Sequence, residues 1–274
     1  MTINIKGNLL DLSSPIIMGI LNVTPDSFYD GGFYNSKKKV LDQVKKMISD
    51  GASIIDIGGY SSRPGANNVS VNNELDRVLP IIKLIKEKYP EILISIDTFR
   101  SKVAELSVES GADIINDISG GTLDSKMYET VSKLKVPYII MHMIGNPTNM
   151  MEKTNYEEIL KEINHYFIEK ISLAESFGIK DIIIDPGFGF SKTTRQNFDI
   201  LNNLNFYKKL EKPILIGISR KSMIYKTLNI DPEEALNGST VLHTISLLGG
   251  AKIIRTHDVK EAYECVKLVR ALKS

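Results

Sequence analysis

A single cysteine, Cys265, excludes any disulfide within the chain, and no group of cysteines and histidines has the spacing of a zinc site. Cys265 shares a helical pattern with Ala262, Val266 and Val269, which reads as a buried structural thiol rather than a nucleophile. An excess of one charge is missing as well. The 34 Lys and Arg residues nearly balance 33 Asp and Glu, leaving a net charge of +1, so no overall field recruits nucleic acid or an anionic membrane and any anion site must be local. No apolar run approaches the roughly 18 residues that span a bilayer, and the stretch before Asp11 lacks a basic segment leading into an apolar one. The expectation is a soluble, cytoplasmic protein. Linkers and low-complexity tracts are also lacking, so residues 1–274 read as one domain, for which 42% hydrophobic residues supply ample core.

What the chain does have is a recurring phrase. Asp181-Ile-Ile-Ile-Asp-Pro-Gly-Phe-Gly-Phe190 is a short β-branched run that stops at the carboxylate of Asp185 and a Pro/Gly loop, as a strand buried on both faces would. The same plan of helix-stopping glycine, apolar strand and polar tip starts at Gly51, Gly111, Gly178 and Gly250, intervals of 60, 67 and 72 residues. A βα unit needs roughly 30 residues, so each interval holds two. The intervening strands are Ile16 to Leu21, Ile92 to Ile96, Tyr138 to Met141 and Ile214 to Ile218. Eight strands alternating with helices predict a (β/α)8 TIM barrel, an α/β fold, with residues 3 to 12 as an N-terminal β-hairpin closing the bottom. An open doubly wound sheet would alternate likewise, but its strands do not end so uniformly in polar side chains.

Helix starts follow from capping residues. A first helix is expected from about Ser36 to Asp50, with Thr98 capping the helix after the third strand. The longest helix should start near Tyr156, with Thr154 and Glu157 as one candidate box. Asp231-Pro should open another, and Asp258 with Glu261 should form a further box. Two long loops, after Asn22 and after Gly58-Gly59, exceed usual βα connections and read as mobile.

In such a barrel the active site lies at the C-terminal ends of the strands, so Asn22, Asp97, Asn116, Asp185, Lys221, Arg255 and His257 should face one mouth. Two carboxylates and an amide, Asp97, Asn116 and Asp185, suit the edge of a flat, nitrogen-rich heterocycle. Each could instead cap a helix, but three on neighbouring tips favour a site. Arg255 and His257, just before the last helix, make an anion site, and in barrels phosphate binds near strands seven and eight. Lys221 and Arg63 are further candidate anion contacts, and Phe28 and Phe190 on loops suit an aromatic wall. His142 carries no clear role, whereas His165 and His243 fall in helical patterns as surface or packing residues.

Taken together, Gly19-Ile-Leu-Asn-Val-Thr-Pro-Asp-Ser-Phe-Tyr-Asp-Gly-Gly32, Gly58-Gly-Tyr-Ser-Ser-Arg-Pro-Gly65, Ser95-Ile-Asp-Thr98, Ile115-Asn-Asp-Ile-Ser-Gly-Gly121, Asp185-Pro-Gly-Phe-Gly-Phe190, Ser219-Arg-Lys-Ser222 and Arg255-Thr-His-Asp258 resemble the dihydropteroate synthase family. The resemblance implies condensation of 6-hydroxymethyl-7,8-dihydropterin diphosphate with 4-aminobenzoate, giving 7,8-dihydropteroate and pyrophosphate in folate synthesis. It implies Asp97, Asn116, Asp185 and Lys221 on the pterin, Asn22, Ser62, Arg255 and His257 around the diphosphate, and Ser219 as a further substrate contact. Mg2+ would sit on Asn22 and Asp30. Phe28, Arg63, Pro64, Phe190, Lys221 and Ser222 would frame the aminobenzoate, with Asp97, Lys221, Arg255 and His257 as the catalytic set. A homodimer is implied too, through the apolar stripe Val241, Leu242, Ile245 and Leu248 and the last helix.

Some positions depart from the family pattern. Tyr60 replaces a commonly acidic residue, Ser62 stands where threonine is frequent, and Met143-Ile-Gly-Asn-Pro-Thr matches its counterpart only loosely. The related pterin-binding barrels that transfer a methyl group from methyltetrahydrofolate to a corrinoid share the third, fourth and sixth tips. They have no need of a diphosphate site, and the Arg-Pro-Gly and Ser-Arg-Lys-Ser segments speak against them, as the full constellation does against a binding-only barrel.

Overall fold

The structure is a computed structural model that describes residues 1–23, 32–60 and 69–273. Phe28, Asp30, Ser62, Arg63 and Pro64, together with both long loops, lie outside the described residues.

A hairpin of β1 (Thr2–Ile5) and β2 (Asn8–Asp11) comes first, turning through Lys6 and Gly7, both at positive φ (50° and 93°), the type I′ geometry that matches strand twist. Then come β3 (Ile16–Asn22), α1 (Gly32–Ser49), β4 (Ala52–Gly58), α2 (Val71–Lys88), β5 (Leu93–Asp97), α3 (Ser101–Glu109), β6 (Ile114–Asp117), α4 (Met127–Leu134) and β7 (Tyr138–Met141). The series continues with α5 (Ile159–Ser176), β8 (Ile182–Asp185), α6 (Thr194–Asn202), β9 (Leu215–Ile216), α7 (Ser222–Leu228), α8 (Leu236–Gly249), β10 (Ile253–Thr256) and α9 (Val259–Lys273). From β3 to β10 neighbouring strands pair in parallel, in the order β8-β7-β6-β5-β4-β3-β10-β9. The ring closes where Ile184 N–H donates to Pro213 C=O at 3.0 Å and Ile184 bridges Ile214. That closure separates the barrel from an open doubly wound sheet.

Strand alternation divides the apolar residues into two bodies. Outward residues such as Leu21, Ile55, Ile96, Ile115, Ile140, Ile184 and Ile254 pack on the helices with Val44, Ile82, Val103, Phe167 and Ile200. Inward, Met18, Ile54, Ile114, Ile139, Ile183, Leu215 and Ile253 form a layer with Leu93 against it, one residue from each of the eight strands. Ile3, Ile5 and Leu12 from the hairpin region complete this layer, which makes the hairpin the floor of the barrel. Polar ties hold it there: Asn4 N–H donates to Asp181 at 2.8 Å, and Lys6 pairs with Asp113 at 2.8 Å.

Several expected helix starts move. The helix after β5 has Arg100, not Thr98, at its N-cap, because the Thr98 hydroxyl donates to the buried Glu74 carboxylate at 2.7 Å. α5 begins at Ile159 without the Thr154–Glu157 box, and at 18 residues it equals α1 and α2 rather than exceeding them. Asp231 and Glu234 do form a capping box, but on a single 3₁₀ turn, Pro232–Glu234, ahead of α8. The Asp258 carboxylate is taken by Arg220 through two hydrogen bonds (2.8 and 2.9 Å). Cys265 is buried as expected.

Because the floor layer is sealed on every side, truncating one member leaves a cavity that the surrounding strands cannot fill. Ile183→Ala is expected to lower unfolding free energy by about 2–5 kcal/mol, read from the chemical denaturation midpoint at unchanged slope.

Candidate active site

Two residues along four of the strands from the apolar floor, the same inward face turns polar, and on β5 Asp97 lies four residues beyond Leu93. Ile54 is followed by Asp56, Ile114 by Asn116, Ile183 by Asp185 and Ile253 by Arg255. This second layer converges. Arg255 Nε donates to Asp56 Oδ2 at 2.6 Å and its Nη2 to Asp97 Oδ2 at 2.7 Å, while Asn116 Nδ2 reaches Asp56 Oδ2 at 3.2 Å. Nη1 of Arg255 makes no hydrogen bond among the described residues. Asp185 Oδ1 accepts from Gly187 N–H at 2.8 Å, which aims the second oxygen of that carboxylate away from its own loop.

Around the rim stand the remaining expected residues within the described set. Asn22 ends β3, exposed, with its side-chain oxygen 3.6 Å from where a Cβ on Gly58 would lie; Asp97 flanks the same glycine at 3.7 Å. Ser219 Oγ meets His257 Nδ1 at 3.1 Å and accepts from the His257 N–H at 3.2 Å. Arg220, at φ 53°, turns outward to Asp258 and to the Glu233 carbonyl, which leaves its neighbours Ser219 and Lys221 facing in. Lys221 Nζ donates to the Phe188 carbonyl and lies 4.4 Å from the centroid of the Phe190 ring; Ser222 opens α7 beside it.

The site carries opposed charges out of water. Burial pushes the Asp97 carboxyl up to about 7, against the pull of Arg255 and with the help of the negative Asp56 nearby. Burial likewise lowers the Lys221 ammonium to about 8, opposed by Asp185. Asp185 is raised by burial and held back by its Gly187 hydrogen bond, and Arg255 stays charged throughout.

Two members escaped the reading of the sequence. Asp56 is fully buried and is the partner of both Arg255 and Asn116; its signal was an acid inside the apolar run Ile54-Ile55-Asp56-Ile57. Its Oδ1 and the Ser95 Oγ paired beside it in register have no partner among the described residues. Lys192, 2% exposed, is the other, bonded to His142 Nδ1 at 2.9 Å. Asp117, next to Asn116, turns away from the mouth: its carboxylate accepts from Tyr138, Ser119 and Gly121 and braces the β6–α4 loop. His165 is exposed and His243 buried, neither near the ring. A groove of about 1050 Å³ lined by Tyr156, Glu158, Glu162 and His165 lies outside the barrel mouth and shares none of its converging side chains.

A polar ring of this kind over an apolar floor meets its counterparts in comparison with known proteins. Residues 18–257 match the model of the pterin binding enzyme family. The chain is 45% identical over 271 residues to dihydropteroate synthase of Escherichia coli strain K12, covering 98% of this chain and 95% of that one. The chain belongs to the dihydropteroate synthase family. The synthase of Synechocystis is 44% identical over 259 residues, covering 93% and 89%. Among solved structures, a Yersinia pestis dihydropteroate synthase in a sulfonamide drug complex superposes with TM-score 0.93 at 40% identity, covering 100% and 99%. A Xanthomonas albilineans synthase with 4-aminobenzoic acid gives 0.92 at 34%, covering 100% and 98%. The chain is a transferase of this family, and its reaction joins a dihydropterin diphosphate to 4-aminobenzoate with release of pyrophosphate.

Asp56 holds the Arg255 guanidinium at 2.6 Å, and removing one partner of a buried ion pair leaves the other uncompensated. Asp56→Ala should cost about 3–5 kcal/mol of stability, more than Asp97→Ala, whose side chain is 17% exposed. Parallel denaturation curves of the two variants check the ranking.

Proposed function

We propose that the second interior layer binds the pterin and the rim binds the groups that react with it. Asp97, Asn116 and Asp185 present acceptors and a donor to the guanidine-like edge of the ring, with Lys221 beside them. Arg255, His257, Ser219 and Ser62 take the diphosphate. Phe190, Lys221 and Ser222, with Phe28, Arg63 and Pro64, frame the aminobenzoate. The observation that carries this reading is the convergence of Asp56, Asp97, Asn116 and Arg255 from four strands on one point above the floor.

The donors near the diphosphate position suit Mg2+ only as a shared ion. Asn22 offers one amide oxygen, and no group of three His, Cys, Asp or Glu among the described residues could hold a metal by itself. Mg2+ keeps several waters and binds through few protein ligands plus substrate phosphates, so Asn22 with Asp30 fits an ion that arrives on the diphosphate. When bound it would supply neutralising charge to the leaving group.

Substitution is dissociative in this reading. The bond between the pterin methylene and the diphosphate oxygen breaks first; Arg255 and His257 offset the charge gathering on the pyrophosphate. The methylene cation left behind is delocalised into the ring and faces the Asp97 carboxylate. The amine of 4-aminobenzoate then donates its lone pair to that carbon and passes a proton to the departing pyrophosphate or to solvent. Charge, not covalent attachment, carries the step, and no enzyme-bound pterin forms. Phe190 shields the aminobenzoate side from water.

The exposed stripe Val241, Ile245 and Leu248 on α8, with Leu268 and Leu272 on α9, supports a homodimer, while Leu242 turns inward and is buried. No helix among the described residues is long and apolar enough to cross a membrane, which agrees with a cytoplasmic setting.

With the dihydropterin diphosphate and 4-aminobenzoate together, pyrophosphate should be released with formation of dihydropteroate; no release, or release without any dihydropteroate, overturns the reading. By calorimetry, Asp185→Asn should weaken binding of a free pterin, whereas Arg255→Ala should weaken the diphosphate substrate by at least about tenfold more than it weakens the free pterin. Equal loss of both ligands in Arg255→Ala, or unchanged free-pterin binding in Asp185→Asn, would contradict the division of roles.

The pH dependence follows from the two shifted groups. A carboxylate is needed at Asp97 and an ammonium at Lys221, so kcat/KM should rise as Asp97 ionises through about 7 and fall as Lys221 deprotonates above about 8. Asp97→Asn should abolish the acid limb and keep the basic one. A profile with an unchanged acid limb in that variant would assign it to another group.

A further inference from the structure

Lys192 sits inside the protein without a carboxylate partner among the described residues, in the turn between β8 and α6. Its Nζ approaches four acceptors: the carbonyls of Phe190 (2.9 Å), Gly187 (3.0 Å) and His142 (3.3 Å) and the His142 Nδ1 (2.9 Å). Burial drives the ammonium well below its usual range and keeps the His142 imidazole neutral, so the ring nitrogen facing Lys192 can accept. An apolar side chain of similar length would fill the space without the cost of burying a polar group. The feature that needs a multiple donor is the turn itself.

That turn is gripped from two sides. Gly187 and Phe190 give their carbonyls to Lys192, and Phe188, between them, gives its carbonyl to Lys221. Gly187, at φ 71°, lies so close to β7 that a Cβ would come within 2.1 Å of the His142 carbonyl oxygen. Ser191, at φ 47°, closes the other end, its hydroxyl accepting from Ile144 N–H at 3.0 Å and its carbonyl from the Tyr156 hydroxyl at 3.0 Å. On the inner side the turn presents the Phe190 ring under the Lys221 ammonium. Shifting the turn by an ångström therefore moves the ring and the carbonyl that aims Lys221 together.

We propose that Lys192 is a positioning residue for the aminobenzoate half of the site: by binding the Gly187 and Phe190 carbonyls and the end of β7, it sets where Phe190 and Lys221 stand. The proposal rests on the assignment of Phe190, Lys221 and Ser222 to that substrate. Asp185 is held by its own strand and by Gly187 N–H, so the pterin side should feel the change less.

The test uses Lys192→Met, which keeps the stem and removes every donor, and Lys192→Gln, which keeps two. For a folded variant the expected result is a KM for 4-aminobenzoate raised about tenfold or more in Lys192→Met and less in Lys192→Gln, with free-pterin affinity within about threefold of the parent. Unchanged KM in a folded Lys192→Met overturns the proposal. So does equal loss of pterin and aminobenzoate binding, or failure of both variants to fold, since either makes Lys192 a general core residue. Parent protein run alongside separates the two levels: if its own KM for 4-aminobenzoate is insensitive to Phe190→Ala, the substrate assignment fails rather than the role of Lys192.

Discussion

One guanidinium inside the barrel, that of Arg255, is the charge on which the mouth depends. Two carboxylates, Asp56 from β4 and Asp97 from β5, meet it at 2.6 and 2.7 Å in a space closed below by a layer of aliphatic side chains. Without the arginine, two acids and a third at Asp185 would share a dry interior, which the Coulomb cost of like charges in low dielectric forbids. With it, the acids stay close enough together to offer their remaining oxygens to one planar ligand. Asp97 responds to the balance by titrating at about 7, because the arginine offsets only part of the cost of its burial.

The floor gives that balance its setting. Eight strands each place one apolar side chain in a layer that the hairpin seals, so water reaches the charged layer only from the mouth. The polar layer lies two to four residues farther along five of the same strands and inherits the rigidity of the hydrogen-bonded ring. Electrostatic groups fixed in this way need no rearrangement when charge develops on a substrate. Loop residues have no such scaffold, and the turn after β8 acquires one from within, through Lys192 on its outer side and Lys221 on its inner side.

The eight-strand count, the hairpin and most of the ring were legible in the sequence, because parallel strands buried on both faces read as apolar runs and each run ended in a polar residue. Helix starts were less so. Thr98 and Asp258 are good capping residues, yet both side chains are drawn to buried or half-buried partners, Glu74 and Arg220, from distant parts of the chain. A capping bond worth about 1 kcal/mol gives way to a charge-assisted bond in a drier place.

By itself the sequence determined the alternation of buried strand and helix and the kind of side chain at each strand end, since both are local patterns of period and composition. Tertiary structure alone decided which of those side chains meet. Asn116 and Asp117 are adjacent in the chain, but a strand turns successive residues to opposite faces, so one enters the ring and the other braces a loop. Asp56 looked like an acid misplaced in an apolar run until the closure of the barrel set Arg255, 199 residues away, against it. Lys192 acquires its three carbonyl partners only when the turn after β8 folds around it. The physical reason is common to all three: the partner that justifies a buried polar group lies across the barrel or across a turn, and only the closed fold brings the two within hydrogen-bond reach.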